Sequence, residues 1–435
     1  MVLNIRISGK LVQFLGAICA NFGGIVYGLM VGWPSATMPI LSSTDSPLPS
    51  GPLTKKEVSW VISIMMLGGM LGTIIFGWMA NHFGRKWPLI VGMLPQVVAQ
   101  SLIATAQNTS FLYTARFLSG VSGGALLVLV SIYVNEISEN SIRGTLGSIL
   151  GIFYGFGVII AYIICAYMPF YSVPYVGLGI LALFLLFIIF PESPQYLLLK
   201  QKDAEAEKSL KFFRGSSRGD QVKLEFESLK SSIDAASTKS NNITLQDFKP
   251  ATTRKALLVS YIILSGRNLS GVFVLMNYTV DIFQQAGTGI DAHISAIIVG
   301  TIQLAGLCLT AIGIYFRLNE QGYNLSSVFW LPIASLSGIM FLGGPVQNIP
   351  VYVLSELLPT KIRGPVATVY MASVWPVTFL ILQFYTPLAD LLGIYGCMWI
   401  FAGWCFFEAV FAYFMLPETK GRNPEEIVKA LEGKI

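Results

Sequence analysis

The chain has 435 residues, of which 54% are hydrophobic and 12% charged, with a formal net charge of +5; its mean hydropathy is +0.66. Soluble domains carry about a quarter charged residues, so this composition excludes an ordinary soluble fold and points to an all-α membrane protein. The positive balance needs no nucleic acid to explain it, since no basic and aromatic interleaving accompanies it.

A membrane-crossing helix needs about 20 apolar residues. Such runs are predicted near 11–32, 58–79, 88–106, 112–135, 146–167 and 173–190. The first is too long for a signal-peptide core and has no A-x-A-like exit, so it reads as a retained helix. A polar stretch follows at 191–255, with short amphipathic helices expected around "DAEAEKSLKFF" and "VKLEFESLKSSI". A second series of runs lies near 256–280, 293–316, 327–346, 367–388 and 394–415, giving eleven. The expected organisation is an N-terminal bundle at 1–190, a linker at 191–255, a C-terminal bundle at 256–416 and a tail at 417–435.

Orientation follows from Lys and Arg. The polar stretch holds twelve of the 28 basic residues, and Arg6, Lys10, Arg85, Lys86 and Arg143 fall on its side of the membrane under alternate crossing. The positive-inside rule makes that side, with the N-terminus, cytoplasmic. All five cysteines lie inside apolar runs without C-x-x-C spacing and read as packing residues. The sequence carries no metal cluster, phosphate loop or nucleophile and base pair, so neither a cofactor nor an enzyme is expected.

The halves repeat each other. "NEISENSIRG" (135–144) returns as "SELLPTKIRG" (355–364), each with a Glu seven positions before Arg-Gly, and "PESP" (191–194) returns as "PETKG" (417–421). Parallel repeats with a solute site between them are a transporter plan. The second half is about 25 residues short between its first span and Glu356, close to one helix and its turn, and the gap falls at "GIYFRLNEQGYNLSS". With eleven crossings, the loop at 355–366 and the basic tail could not both be cytoplasmic. The eighth run is therefore expected to be a fused remnant of two helices, and either it fails to cross or the chain is a shortened product.

With "GWMANHFGRK" (77–86), "RFLSGVSGG" (116–124), "YVNEISENSIRG", "PESPQYLL", "LSGVFVLMNYT" (269–279), "SELLPTKIRG" and "PETKG", the chain resembles the sugar porter family of the major facilitator superfamily, nearest its insect trehalose-transporting branch. The resemblance implies two six-helix bundles working by alternating access in a cell membrane, with one helix missing here. It implies facilitative uniport of a sugar, trehalose or hexose-like. The alternatives are a degenerate or truncated paralogue that does not transport, and a transporter of an anionic organic solute.

Arg85, Lys86, Glu136, Arg143, Glu192, Glu356 and Arg363 are expected to form a cytoplasmic latch whose exposed ion pairs are worth roughly 1 kcal/mol each, weak enough to switch. Gly77, Gly120, Gly123 and Gly124 are expected to allow close helix approach. In the family's sugar cavity this chain places Arg267 and Asn268 for a Gln pair, with Gly151, Phe273, Val351 and Val374 replacing further polar or aromatic residues. Gln303, Trp375 and Asn277 (with Tyr278 beside it) survive, so the expected substrate-binding set is Arg267, Asn268, Asn277, Gln303 and Trp375. Arg267, near the middle of its run, is costly there without a partner and motivates the anionic alternative. Glu408, the isolated carboxylate deep in a span, reads as a residue facing the bundle or the interface rather than a proton carrier.

Overall fold

A computed structural model of the chain describes residues 9–139, 141–215, 219–238, 248–286 and 360–415. Among them, six helical stretches fill the first six apolar runs: α1 (Gly9–Leu41), α2 (Lys55–Phe83), α3 (Lys86–Gly92) continued by α4 (Leu94–Ala104), α5 (Thr109–Ile137), α6 (Arg143–Tyr167), and α7 (Ser172–Phe184) extended by a short 3-10 turn (Leu185–Ile189). Short helices α8 (Pro194–Leu199), α9 (Asp203–Arg214) and α10 (Gly219–Thr238) cover the expected linker. Then come α11 (Ala251–Leu269), α12 (Val272–Ala286) and the 56-residue α13 (Thr360–Met415). Seven helices among the described residues are long and apolar enough to cross a membrane. The runs at 293–316 and 327–346, and the tail, lie outside the described residues.

Local chemistry explains where helices start. Thr54 and Glu57 form a capping box at α2, with the Thr54 N–H donating to Glu57 Oε2 at 2.9 Å and the Glu57 N–H to Thr54 Oγ1 at 3.3 Å. Asn108 caps α5 by accepting from Ser110 and Phe111. At about 1.5 Å per residue, α13 is far longer than a bilayer core. It contains both expected runs, 367–388 and 394–415, joined through a kink at Gly393 (φ 70°).

The chain packs as two compact units. The first comprises Met1–Met30, Leu67–Ala161 and Pro169–Asn241. There α2 meets α5 at Gly68 and Gly72, where an added Cβ would drive into the backbone of Phe117 and Val121. Gly123 lies under the Tyr27 ring and Gly124 against Gly69, as expected, but Gly77 faces open space and does no such packing. The linker helices belong to this unit. Arg214, almost fully buried, donates to Ile137 O at 2.7 Å and pairs with Glu225, while Gln13 donates to Phe213 O at 3.0 Å and accepts from Glu139 N at 2.8 Å.

The second unit comprises Val31–Met66, Tyr162–Met168 and Asn242–Ile435. The units therefore cut across the expected halves, because the ends of α1, α2 and α6 group with α11, α12 and α13.

The glycine contacts give a direct test. Gly72→Leu should destabilise the detergent-solubilised protein by about 2 kcal/mol, the usual size of overpacking, whereas Gly77→Leu should leave its thermal midpoint unchanged.

Candidate functional site

The seventh apolar run is not one helix. It breaks at Ser270–Gly271, with Gly271 at φ 77° and the Phe401 ring packed over it. A second deviation falls at Tyr278 (φ −120°, ψ 15°) inside α12. In an unbroken helix the Val280 N–H would donate to Met276 O, four residues back. Here Val280 N donates to Ser35 Oγ of α1 at 3.1 Å, and Met276 O accepts from Tyr162 Oη of α6 at 3.1 Å. Two hydroxyls from the first half of the sequence thus reach the backbone on either side of the deviation. In a low-dielectric setting they could not be left unpaired.

A cavity of about 740 Å³ lies at this deviation, within the second unit. Its walls include Ser35, Asn277, Tyr278, Asp281, Tyr385 and Asp390. The Tyr278 and Tyr385 rings sit 4.6 Å apart, and the Tyr278 hydroxyl lies 3.2 Å from Thr386 Oγ1. Asn277, 1% exposed, donates one of its two amide N–H groups to Phe273 O at 2.8 Å. The Asn277 carbonyl oxygen and the Tyr385 hydroxyl are buried without a hydrogen-bond partner among the described residues.

Beside the cavity, α2 and α13 are joined by a polar ladder with helical spacing. Lys55 pairs with Asp390 at 2.6 Å, Ser59 donates to Thr386 at 3.1 Å and Ser63 donates to Gln383 at 2.6 Å.

In the first unit, Arg85 forms a fork on Glu136, with Nε 2.9 Å from Oε2 and Nη2 2.8 Å from Oε1, the bidentate geometry in which guanidinium pairs are strongest. Its Nη1 donates to Ala80 O at 2.7 Å, and the Tyr196 ring lies under the guanidinium. The Ser193 hydroxyl also bonds Glu136. Glu192 accepts the backbone N–H groups of Arg85 at 3.0 Å, Lys86 at 3.1 Å and Ser193 at 2.8 Å. Its carboxylate fills the place of a side chain at Gly84, whose φ of 97° itself favours glycine. Burial raises the Glu192 pKa, opposed by those three backbone donors. Lys86 Nζ donates to Ile188 O at 2.7 Å.

The structure thus brings together Arg85, Glu136 and Glu192, with Lys86 alongside. Arg143 stands apart: it is exposed and, among the described residues, donates to Ser138 O at 3.4 Å. Among the expected substrate residues, Asn277 lines the cavity, and Asn268 accepts from Thr378 Oγ1 at 3.3 Å. Trp375 is buried one turn before Thr378 on α13. Gly151 faces open space. The Glu408 carboxylate packs against Gly266, facing a neighbouring helix as expected. Gln303 and Glu356, and the side chains of Arg267 and Arg363, lie outside the described residues. Sequence reasoning missed Ser35, Tyr162 and Tyr385, which are lone hydroxyls in apolar runs and carry no motif.

The model of a family described as "Sugar (and other) transporter" matches residues 16–316 and 300–431. The two stretches overlap beside the point where the halves differ in length. The chain is 29% identical to the facilitated trehalose transporter Tret1 of Aedes aegypti and 30% identical to that of Drosophila virilis, over 97% of its length in each case. It spans about half the length of those two relatives (55% and 49%). It covers 86% of the Tret1 of Culex quinquefasciatus, at 29% identity. Its fold is similar to that of the E. coli xylose transporter XylE, which was solved in an inward-open conformation, with a TM-score of 0.72 and 17% identity over 97% of this chain and 99% of that one.

Two tests follow from the geometry. Arg85→Ala strands a nearly buried carboxylate and should lower folding stability on the order of 3 kcal/mol, read as a fall in thermal midpoint, while Arg143→Ala should leave the midpoint in place. Tyr162→Phe and Ser35→Ala each remove one hydrogen bond to the backbone of α12 and should each cost about 1 kcal/mol in the same assay, although neither changes the shape of its side chain much.

Proposed function

The chain belongs to the Sugar (and other) transporter family, and from that premise we propose that it carries a neutral sugar, trehalose or hexose-like, across the cell membrane by facilitative uniport. The N-terminus and the linker helices face the cytoplasm in this reading, supported by the concentration of Lys and Arg there. The single observation behind the reading is the family match, which extends through both repeats from residue 16 to 431. The absence of an Asp from "FGGIVYGLMVGW" (22–33) supports uniport over proton coupling. The cytoplasmic charge set, Arg85, Lys86, Glu136 and Glu192 with the second-half residues Glu356 and Arg363, serves in this reading to hold the inner ends of the helices. Asn268, Asn277 and Trp375, together with Gln303, serve to hold the sugar.

A second reading, transport of an anionic organic solute, is favoured by Arg267 alone, which stands where the family has a Gln.

Proteoliposomes decide between these. Labelled trehalose or glucose should equilibrate faster than in empty vesicles, saturably, and without change when the proton gradient is collapsed. Uptake of gluconate alone, lost in Arg267→Gln, would establish the anionic reading instead. No uptake of any of the three would leave a non-transporting paralogue.

A further inference from the structure

We propose that the polar ladder joining α2 to α13 is a salt-sensitive clasp: the ionic strength of the medium at its exposed end sets how often that end is open. The orientation given under the transport reading, with the α1–α2 connection outside, makes that medium extracellular, and to this extent the inference rests on that reading.

The register is that of two antiparallel helices. Lys55, Ser59 and Ser63, each one turn apart on α2, meet Asp390, Thr386 and Gln383 of α13 in reverse order. Both sides of the ladder belong to the second unit. Burial deepens along it: the Lys55 and Asp390 side chains are 75% and 55% exposed, whereas Ser59 and Ser63 are 3% and 0% exposed. One turn beyond Ser63 the same face of α2 reaches Met66, which is buried. The polar tiers thus occupy one end of the contact, and the ionic tier is the outermost of them. Such a contact opens from its wet end, because water can replace the outer bond while the inner ones still hold.

The outermost tier is also the one that salt can weaken. Neutral hydrogen bonds carry no net charge to screen, but an exposed ion pair is screened as the Debye length falls from about 30 Å at 0.01 M to about 8 Å at 0.15 M. The next tier carries the change inward. Thr386 Oγ1 accepts from Ser59 Oγ at 3.1 Å and lies 3.2 Å from the Tyr278 hydroxyl, and a hydroxyl can donate and accept at once. Parting α2 from α13 at this tier removes one neighbour from a hydroxyl chain that ends at Tyr278, in the cavity wall.

The test reads opening directly, in intact cells expressing the full chain. Met66→Cys is reacted from outside with a membrane-impermeant maleimide, with the unmodified protein as background for its native cysteines. The labelling rate is followed at about 10 mM and about 150 mM salt, with betaine holding the osmolality constant, and uptake of labelled trehalose and glucose is measured in the same cells. Raising the salt should speed labelling about twofold. Adding Asp390→Asn should speed it about two- to fivefold at low salt, the loss of one exposed ion pair, and should abolish the salt effect. Exchanging the charges, Lys55→Asp with Asp390→Lys, should restore both the slow rate and the salt effect, which a merely structural role for either side chain would not do. Salt-dependent labelling without uptake would support the clasp while the transport reading fails. Equal labelling in every variant at both salt concentrations, or none in any, would overturn the clasp, and uptake in those cells would leave the transport reading standing. A salt effect that persists in Asp390→Asn would assign it to other charges and overturn the clasp as well.

Discussion

The deviation of α12 from helical geometry at Tyr278 is the constraint that the polar contacts of the second unit answer. A helix in a membrane has no water to satisfy a freed backbone group. A deviation at Tyr278 is therefore tolerated only because other atoms of the protein reach both ends of it. Ser35 supplies an acceptor to Val280 N and Tyr162 a donor to Met276 O, the backbone groups on either side of it. A serine at 35 in α1 and a tyrosine, not a phenylalanine, at 162 in α6 are what these contacts require. The same bonds tie the ends of α1 and α6 to α12 across 245 and 114 residues of sequence. The cavity lies at the same deviation, with Asn277 and Tyr278 in its wall.

The charge cluster of the first unit solves a different problem. Arg85 is buried, and a buried guanidinium needs a carboxylate in good geometry. Glu136 provides it from the end of α5, and Ser193 and Ala80 fill the remaining valences. Glu192 then turns the sharp corner at Gly84 into a capped helix start, because its carboxylate takes the N–H groups at the head of α3 that have no intrahelical partner. PESP is therefore a piece of structure as well as a signature: Pro194 starts α8, Ser193 caps it, and Glu192 caps α3 across the fold.

Much of this architecture was legible because hydropathy and helix length are coupled by bilayer thickness. The first six runs and the two linker helices were read close to their observed bounds. The break at Gly271 had a signal in "LSG", a residue able to adopt positive φ in an apolar run. The deviation at Tyr278 had none, since no Gly or Pro stands there and its cause is tertiary. Arg143 was grouped with the latch by the spacing of its motif. In space the loop after Ile137 carries it past the end of α5, so equal spacing from Glu136 does not bring it to Arg85. Gly77 failed for a similar reason: a motif glycine is not a packing glycine unless another backbone lies opposite, and the α2 glycines that do meet α5 are Gly68 and Gly72.

Both units use polar contacts between helices, but of unequal strength, and the inequality suits the proposed cycle. The Arg85–Glu136 fork is nearly buried, so separating its charges is expensive, and it joins elements within one unit. The ladder between α2 and α13 is built of neutral hydroxyl and amide bonds plus Lys55–Asp390, whose side chains are 75% and 55% exposed. Exposed pairs contribute at most about 1 kcal/mol and ordinary hydrogen bonds about 1 kcal/mol net. A few such contacts sum to a few kcal/mol, the gap at which an alternative conformation is populated at about 0.1–10%. A ladder of this kind can part and rejoin at modest cost, whereas a buried fork cannot.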